Sequence, residues 1–462
     1  MNRPDRKITV AFATHGCRFN QSETEQMRRT VPEGKFQVVS FDQPADVYVI
    51  NTCAVTEKSE GKCRRTLHRI HRERPDAKLV VSGCASESNC QAVDPFSEAD
   101  LILGNSEKLF LGEYLLQKTN SGWTDPGSIG RVFVGDVRTH SSQTLREKEW
   151  SEAGDPNRLP YTRPNGRTNA YVKVQNGCDE QCTFCIIKTT RGKSRSRDPE
   201  GILHEIKDLT RRGVKEIVLT GINLGQYGMD MAGPGRRLSD LLSRIADLSG
   251  DFRIRLSSIN PNEVTPELID LIKRNRRFCR HLHIPLQSGS EHVLFRMKRG
   301  TTKKYVEQLI QWVWEEIPWI GIGTDILVGF PGEGEREFRE TFELLERFPF
   351  SHFHVFPYSE RRGTEAVEFS DKIPVPVRKE RVRVLRDLGQ KKAAEFRSQF
   401  VGENLKILVE TTRDERTGNL KGFSDNYIPC VFPGPDRWMG SVVPGKGIKI
   451  NPDHLVSEVR SD

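Results

Sequence analysis

Short apolar runs, each followed by a polar, helix-like segment, recur in two separate regions of the chain. The first region contains three runs, at residues 7–14, 46–51 and 78–83. The second contains six, at residues 170–175, 216–221, 252–258, 281–286, 323–330 and 353–359. Alternating strands and helices are typical of parallel sheets. The pattern therefore predicts an α/β chain with an N-terminal open parallel α/β domain followed by a complete or partial (βα)6 barrel.

Two further segments complete the predicted domain organisation. Residues 119–163 are rich in Gly, Pro, Ser and charge, which indicates a linker or long irregular connection. A basic helix leads out of the barrel, and strands broken by Gly and Pro then predict a small C-terminal antiparallel β-barrel. We therefore expect three domains, at residues 6–118, 164–396 and 397–460.

The composition narrows the class of protein. A chain of 462 residues suits about three domains, and 29% of its residues are charged, with a net charge of +8. The N-terminus lacks the apolar run of a signal peptide, and no apolar stretch approaches the roughly 18 residues of a membrane span. Ten cysteines in such a chain indicate metal ligands or reactive thiols rather than a disulfide framework. We expect a cytoplasmic protein.

Three cysteines, Cys178, Cys182 and Cys185, lie in one loop directly after the first strand of the predicted barrel. Their C-x3-C-x2-C spacing provides three thiolates without an obvious fourth ligand. A structural zinc site has four ligands, whereas an iron–sulfur cluster held by three thiolates leaves one iron open to a further ligand. The spacing favours the cluster, with zinc and free thiols as the alternatives.

A second triplet of cysteines lies in the N-terminal region. Cys17, Cys53 and Cys84 each closely follow one of its three strands, at intervals of about one βαβ unit. Ligands bind beyond the carboxyl ends of the strands in an open parallel sheet. We therefore expect these three thiols to converge on one metal centre.

The cysteine loop at the mouth of a six-strand βα barrel resembles the radical S-adenosylmethionine (SAM) enzymes. With the N-terminal motifs GCRFN, NTCAVTEKS and SGCASE, and a C-terminal barrel similar to the TRAM RNA-binding domain, essentially the whole chain outside the linker resembles the methylthiotransferases. The resemblance implies two [4Fe–4S] clusters, SAM, a tRNA substrate and an electron donor such as a flavodoxin or ferredoxin. It implies that one cluster, on Cys178, Cys182 and Cys185, binds SAM and generates a 5′-deoxyadenosyl radical. It also implies that an auxiliary cluster, held by Cys17, Cys53 and Cys84, takes part in sulfur delivery.

Within that family, the chain is most similar to the branch that adds a 2-methylthio group to N6-threonylcarbamoyladenosine beside the anticodon of tRNA. The motifs that carry this similarity include LTGINLGQYG, CRHLHIPLQSGS and TDILVGFPGE. Two loops depart from the family pattern: Lys188 replaces a usual proline, and residues 359–366 lack the usual prolines. Isopentenyladenosine in tRNA and a ribosomal-protein aspartate stay open as alternative targets. A non-catalytic RNA-binding protein with structural zinc is the alternative from a different class.

Other polar residues are candidates by position alone. Ser257, Ser258 and Gln287 fall at the ends of barrel strands, where SAM would bind. His281 and His283 share one face of a strand, and we expect a core or supporting role for them inside the barrel. The cysteines outside both triplets are expected to be mostly buried; they are Cys63, Cys90, Cys279 and Cys430. Cys90 is close enough to Cys84 in the sequence to be a substitute ligand.

Three basic segments favour an RNA partner. Residues 57–75 carry a net charge of +4, residues 377–397 carry +5, and residues 191–197 contain four basic residues and no acidic one. Phosphate contacts dominate nucleic-acid affinity, so clustered cations suit such a partner. The C-terminal barrel, residues 401–462, has a net charge of −1, so RNA contact there would require a local basic face or stacking on its aromatic residues, Phe423, Tyr427, Phe432 and Trp438.

Overall fold

The N-terminal region forms a six-stranded, fully parallel sheet with the strand order β2-β1-β3-β4-β5-β6. The computed structural model of the chain describes residues 6–88, 96–123, 132–135, 137 and 168–459. The strands are β1 (Ile8–Thr14), β2 (Phe36–Val39), β3 (Val47–Thr52), β4 (Lys78–Gly83), β5 (Leu101–Leu103) and β6 (Val132–Phe133). The helices are α1 (Arg18–Thr30), α2 (Glu57–Glu73), α3 (Cys84–Ser88) and α4 (Leu111–Ser121).

The residues of the N-terminal domain account for its central strand and for the start of helix α2. All six residues of β3 are buried, as expected for a central strand covered on both faces. Helix α2 begins after Thr56, whose hydroxyl accepts a hydrogen bond from the Ser59 N–H. Most of the predicted linker at 119–163 lies outside the described residues, but β6 falls within it and adds the sixth strand.

The central region is an open barrel of six parallel strands. They are β7 (Asn169–Lys173), β10 (Glu216–Thr220), β11 (Arg253–Leu256), β12 (His281–His283), β13 (Gly321–Val328) and β14 (His352–Pro357), with a short β8–β9 hairpin (Gln175–Asn176, Arg195–Ser196) beside the first. Two three-stranded sheets, β11-β10-β7 and β12-β13-β14, meet through a bridge between Ile254 and Phe278. Among the described residues, β7 and β14 form the two edges of the opening. The predicted partial (βα)6 barrel is confirmed.

Seven helices accompany the barrel strands. They are α5 (Ile187–Arg191), α6 (Pro199–Arg211), α7 (Leu238–Ala246), α8 (Pro266–Arg274), α9 (Glu291–Arg296), α10 (Lys303–Glu316) and α11 (Glu335–Arg347). Strand β12 is shorter than the predicted 281–286 because regular pairing stops just before Pro285, which has no N–H to donate to a neighbouring strand.

A long helix, α12 (Val375–Ser398), connects the open barrel to a closed five-stranded barrel. Its strands are β15 (Asn404–Arg413), β16 (Leu420–Ser424), β17 (Pro429–Phe432), β18 (Val442–Ile450) and β19 (Leu455–Val459), in the order β15-β16-β17-β19-β18. The predicted C-terminal barrel is confirmed, with the refinement that β17 and β19 pair in parallel while the other pairs are antiparallel. No described helix is long and apolar enough to cross a membrane.

The closed barrel docks against the amino-terminal ends of the open-barrel strands. Arg253 donates hydrogen bonds to the carbonyl oxygens of Lys406 and Phe423, and Arg255 donates to those of Ser424 and Asp425. Both arginines also pair with Glu216 at 2.7 and 2.9 Å. The closed barrel therefore covers this end of the open barrel.

Candidate functional site

The loop of Cys178, Cys182 and Cys185 lies at the carboxyl end of the first barrel strand. Backbone hydrogen bonds hold it in place, from the Cys178 N–H to the Gly192 oxygen and from the Thr183 N–H to the Met297 oxygen. Burial raises the pKa of Cys178 to about 11 and that of Cys185 to about 12, and neighbouring thiols of the loop add to both shifts. The three thiols are therefore close together, and a metal must displace their protons to bind.

Polar side chains from two other segments reach the sulfur atoms of this loop. The Asn223 amide lies 3.8 Å from the Cys178 sulfur and donates to Glu263 at 2.8 Å. The Arg299 guanidinium lies 3.7 Å from the Cys182 sulfur and donates to the Asn260 side chain at 2.9 Å. Both side chains thus direct donors toward sulfur atoms of the loop, the arrangement that tunes a bound cluster.

The residues predicted to bind SAM have different environments. The Ser257 hydroxyl is buried and makes no hydrogen bond among the described residues, so it is available to a ligand. Ser258 is exposed. Gln287 has a φ of 70°, which is uncommon for a residue other than glycine, and its backbone pairs with β13 on both sides. This strained conformation fixes the direction of the chain at the mouth of the barrel.

The second triplet gathers at the carboxyl edge of the N-terminal sheet. Cys53 follows β3, Cys84 begins α3, and Cys17 immediately precedes α1. Burial raises the pKa of Cys53 to about 12, with additional contributions from the Cys84 and Cys17 thiols. The structure therefore brings all three thiols together. Cys63, Cys279 and Cys430 are buried elsewhere, as predicted, and Cys90 lies outside the described residues.

A buried cluster of charges adjoins this second triplet. Arg191 donates through Nε to the Cys84 sulfur at 3.2 Å, and its two Nη atoms contact the Glu23 carboxylate at 2.9 and 3.0 Å. Lys108 donates to the same carboxylate, and Lys173 lies 3.8 Å from it. Burial raises the pKa of Glu23, but the three cations together hold it well below its usual range. Three buried cations around one carboxylate leave an excess of positive charge beside the thiols.

The basic segment at 191–197 therefore has a different role from the predicted one. Arg191, Arg195 and Arg197 are buried, and Lys193 alone of its four cations is exposed. The prediction that this segment faces a phosphate backbone is wrong for the arginines, because they pair with internal carboxylates and carbonyl oxygens. Some cations of helix α12 are also paired within the protein. Arg381 forms an ion pair with Glu333, and Arg383 pairs with acidic residues of the same helix.

Helix α2 retains its positive charge at the surface. Five exposed basic residues recur at intervals of three or four, which places them on one helical face: Lys58, Lys62, Arg65, Arg69 and Arg72. We call this set the α2 basic stripe. The helix lies next to the carboxyl end of β14, since Glu60 pairs with Arg361 at 2.9 Å. Arg361 belongs to the loop at residues 359–366, one of the two that differ from the family pattern. At the other such position, Lys188 donates a hydrogen bond to Gln181 within the cysteine loop.

Comparison with known proteins identifies the family. Residues 172–345 match the radical SAM superfamily, and residues 9–104 match the family described as Uncharacterized protein family UPF0004. The chain is 40% identical to the threonylcarbamoyladenosine tRNA methylthiotransferase MtaB of Aquifex aeolicus, over 87% of this chain and 93% of the relative. It is 32% identical to the tRNA-2-methylthio-N(6)-dimethylallyladenosine synthase of Moorella thermoacetica, over 94% of each. The chain belongs to the radical SAM methylthiotransferases.

A solved structure shares the fold of this methylthiotransferase. The radical SAM methyltransferase TsrM from Kitasatospora setae aligns over 76% of this chain and 73% of its own, with a TM-score of 0.53 and 14% identity. The family uses SAM and a [4Fe–4S] cluster, and its methylthiotransferases carry a second cluster.

The spacing of the thiols in this methylthiotransferase suits clusters better than single zinc ions. Neighbouring sulfur atoms in a tetrahedral zinc site lie about 3.8 Å apart, given a Zn–S bond of about 2.3 Å. Among the described residues, the group with three ligand atoms within 4.8 Å of one another is His283, Asp325 and His354. Neither cysteine triplet is that compact, which is consistent with a larger cofactor that separates its ligands.

Several residues of the site have no local signal in the sequence. Arg191 and Glu23 are 168 positions apart, and Arg299 and Cys182 are 117 apart. From sequence alone, an arginine in a basic run is predicted to lie at the surface, because its distant carboxylate partner cannot be recognised. The N-terminal triplet was recognisable because its cysteines repeat at the ends of strands, and the other because its C-x3-C-x2-C spacing lies in one loop after a strand.

Proposed function

We propose that this chain adds a 2-methylthio group to N6-threonylcarbamoyladenosine in tRNA. The observation that carries the proposal is the gradient of similarity among its relatives. Relatives named for threonylcarbamoyladenosine from Aquifex aeolicus, Bacillus subtilis and Thermotoga maritima are 40%, 37% and 35% identical. Relatives named for dimethylallyladenosine, from Moorella thermoacetica and Staphylococcus epidermidis, are 32% identical.

In this proposal the two triplets hold the two clusters. Cys178, Cys182 and Cys185 would bind the cluster that supplies the one-electron cleavage of SAM. Cys17, Cys53 and Cys84 would bind the auxiliary cluster. Within this assignment, the Asn223 and Arg299 side chains orient and stabilise the first set of thiolates, because each already approaches a sulfur atom. Arg191 has the same role toward Cys84.

The interior of the open barrel supports the threonylcarbamoyl group over an isopentenyl group. The threonylcarbamoyl group has a carboxylate and a hydroxyl, whereas an isopentenyl group is wholly apolar. The inward faces of β12, β13 and β14 carry polar side chains, among them His283, Asp325 and His354. An apolar ligand would remove these groups from water, at a cost of about 1–3 kcal/mol for each polar atom that is left without a hydrogen bond. A polar substituent that can hydrogen-bond therefore suits this wall better than an apolar one.

Strand β14 provides an open surface for a nucleoside. His354 and Phe356 share its inward face, with ring centroids 6.3 Å apart, and both are exposed. An exposed aromatic ring is a platform on which a base can stack, and base–aromatic stacking contributes about 1–3 kcal/mol. The α2 basic stripe lies close to the carboxyl end of this strand, where it could contact the phosphates on either side of the target nucleotide.

Nucleoside mass spectrometry of tRNA tests the proposal. A strain without this gene should lose the methylthio group from threonylcarbamoyladenosine, and the intact gene should restore it while a Cys178→Ala allele should not. Loss from isopentenyladenosine instead would retain the chemistry and assign the enzyme to the branch of the Moorella thermoacetica relative, which is named for dimethylallyladenosine. No change in any tRNA nucleoside would overturn the RNA substrate and favour a protein target.

A further inference from the structure

Three ligand-type side chains converge inside the open barrel, and none of them belongs to either cysteine triplet. The Nε2 of His283 lies 3.0 Å from Oδ1 of Asp325, and the Nδ1 of His354 lies 3.1 Å from the same oxygen. The residues come from the adjacent strands β12, β13 and β14, and their ligand atoms all lie within 4.8 Å of one another. Strands of a barrel hold such side chains more rigidly than loops do.

These distances are close to those around a bound metal ion. Nitrogen and oxygen ligands lie about 2.0–2.2 Å from Zn²⁺, so two ligands of a tetrahedral site are about 3.4 Å apart. The observed separations of 3.0 and 3.1 Å from Asp325 would need to expand by only a few tenths of an ångström. An ion at the centre would replace the protons that now join the two imidazoles to the carboxylate.

A glycine makes the convergence possible. Gly323 lies on β13 level with His283 and His352. A Cβ atom at this position would lie 2.7 Å from Nδ1 of His283 and 2.4 Å from the His352 ring. Any other residue would therefore push the imidazoles out of position. The ring of His352 also contacts both ligand histidines, with centroids 5.7 Å from His283 and 5.6 Å from His354.

We propose that His283, Asp325 and His354 form a site for one divalent transition-metal ion of the zinc type, separate from the two iron–sulfur clusters. Two imidazoles and a carboxylate suit Zn²⁺ or Fe²⁺ rather than Mg²⁺ or Ca²⁺, which prefer oxygen ligands alone. Three protein ligands leave at least one coordination position for water or an oxygen anion. The His354 side chain is 56% exposed, so the ion and its further ligand can enter from the open face of β14.

The open position gives the site a specific use that rests on the proposed function. A carboxylate oxygen is a good fourth ligand for Zn²⁺. The threonylcarbamoyl group carries such a carboxylate, and without a cation it would meet the negative charge of Asp325. A bound metal ion removes this repulsion and holds the nucleoside by its modified side chain.

Zinc binding to the holoenzyme tests the site independently of catalysis. Both clusters are first loaded so that the cysteines are occupied, and the protein is then equilibrated with ZnSO₄ and dialysed. We expect about one zinc per chain in the wild type, and strong loss of zinc with unchanged iron in His354→Ala and Asp325→Asn. His68→Ala is the matched control, since His68 is an exposed histidine paired with Glu98 on the N-terminal domain. The control should keep its zinc.

X-ray absorption at the zinc edge identifies the ligands directly. Nitrogen and oxygen neighbours at about 2.0–2.2 Å, without sulfur, support the site. Sulfur neighbours at about 2.3 Å would place the zinc on cysteines and overturn the proposal. It is also overturned if the wild type retains no zinc, or if His354→Ala retains as much as the control. The metal test and the tRNA test can fail separately. If the wild-type strain does not modify threonylcarbamoyladenosine, the proposed substrate is wrong, but the zinc content of the protein is unaffected.

Discussion

Arg191 donates a hydrogen bond to the sulfur of Cys84 at 3.2 Å, although the two residues are 107 positions apart and belong to different domains. The same guanidinium makes a two-pronged contact with Glu23. The arginine therefore joins the central barrel to the proposed auxiliary cluster site, and its charge lies where thiolates would form. This relationship makes Arg191 a positioning residue for that cluster.

Replacement of Arg191 should selectively weaken the auxiliary cluster. Arg191→Met leaves Glu23 and the Cys84 thiolate without their shared cation, and loss of one partner of a buried ion pair costs about 3–5 kcal/mol. We expect reconstituted protein to fall from about eight irons per chain toward four, with a lower thermal midpoint. Arg191→Lys should lie between the two, because lysine keeps the charge but not the two-pronged geometry. Arg274→Met is a control, since Arg274 is exposed and pairs with Asp270; iron loss in it as well would contradict the assignment.

The two triplets should be separable by mutation. Cys17→Ala and Cys178→Ala should each retain about four irons per chain, as measured by iron analysis and Mössbauer spectroscopy. Cys17→Ala should still release 5′-deoxyadenosine from SAM, whereas Cys178→Ala should not. Cys63→Ala is the matched control, because Cys63 is buried on α2 and belongs to neither triplet. If Cys178→Ala cleaved SAM, our assignment of the radical-generating cluster would be wrong.

Removal of the α2 basic stripe should reduce tRNA affinity without sequence preference. The triple variant Lys62→Ala, Arg65→Ala and Arg69→Ala removes up to three phosphate contacts. Each contact contributes about 0.7–0.9 to the slope of log affinity against log salt, so the slope should decrease by roughly 2–3. Filter binding of tRNA across salt concentrations measures this change.

A matched control for this experiment lies on α12. Arg383 and Lys391 are exposed but pair with acidic residues of the same helix. Their replacement by alanine should leave both the affinity and the salt slope nearly unchanged. An equal loss in this control would mean that net charge, rather than the stripe, determines binding.

A buried carboxyl in the barrel should make stability depend on pH. Burial raises the pKa of Glu333 from 4.5 to about 7, although the Gly329 N–H and Arg381 both favour its carboxylate. Because the folded protein holds this proton more tightly than the unfolded chain, the stabilisation is complete below about pH 4.5 and is lost as the pH rises to 7. At about 1.4 kcal/mol per unit, the loss is roughly 3 kcal/mol.

Thermal unfolding of wild type and Glu333→Gln from pH 5 to 7.5 measures this contribution. The variant does not titrate at this position, so the advantage of the wild type should shrink as the pH rises. Glu343→Gln replaces an exposed glutamate of α11 and should follow the wild type throughout. A wild-type advantage that grows with pH would show that Arg381 holds Glu333 ionised.

The sequence predicted the architecture better than the polar interior. The strands were recognisable because apolar runs alternate with helices. One cysteine triplet was recognisable because it repeats at strand ends, and the other because of its spacing within one loop. The convergence of His283, Asp325 and His354 could not be predicted, since it depends on the register of three strands and on the missing side chain at Gly323. His281 and His283 were correctly expected to share a face, but no local pattern indicated their partners on β14.

One residue of the closed barrel contacts both of the other domains. Tyr427, at a φ of 69°, receives a hydrogen bond from Arg18 of the N-terminal domain, and its ring lies 4.8 Å from the Arg255 guanidinium and 4.8 Å from the His281 ring. Arg18 is the immediate neighbour of Cys17. An exchange of C-terminal barrels between family members would therefore also alter the surroundings of Cys17. A chimaera should be active only if it retains Tyr427 and its contacts.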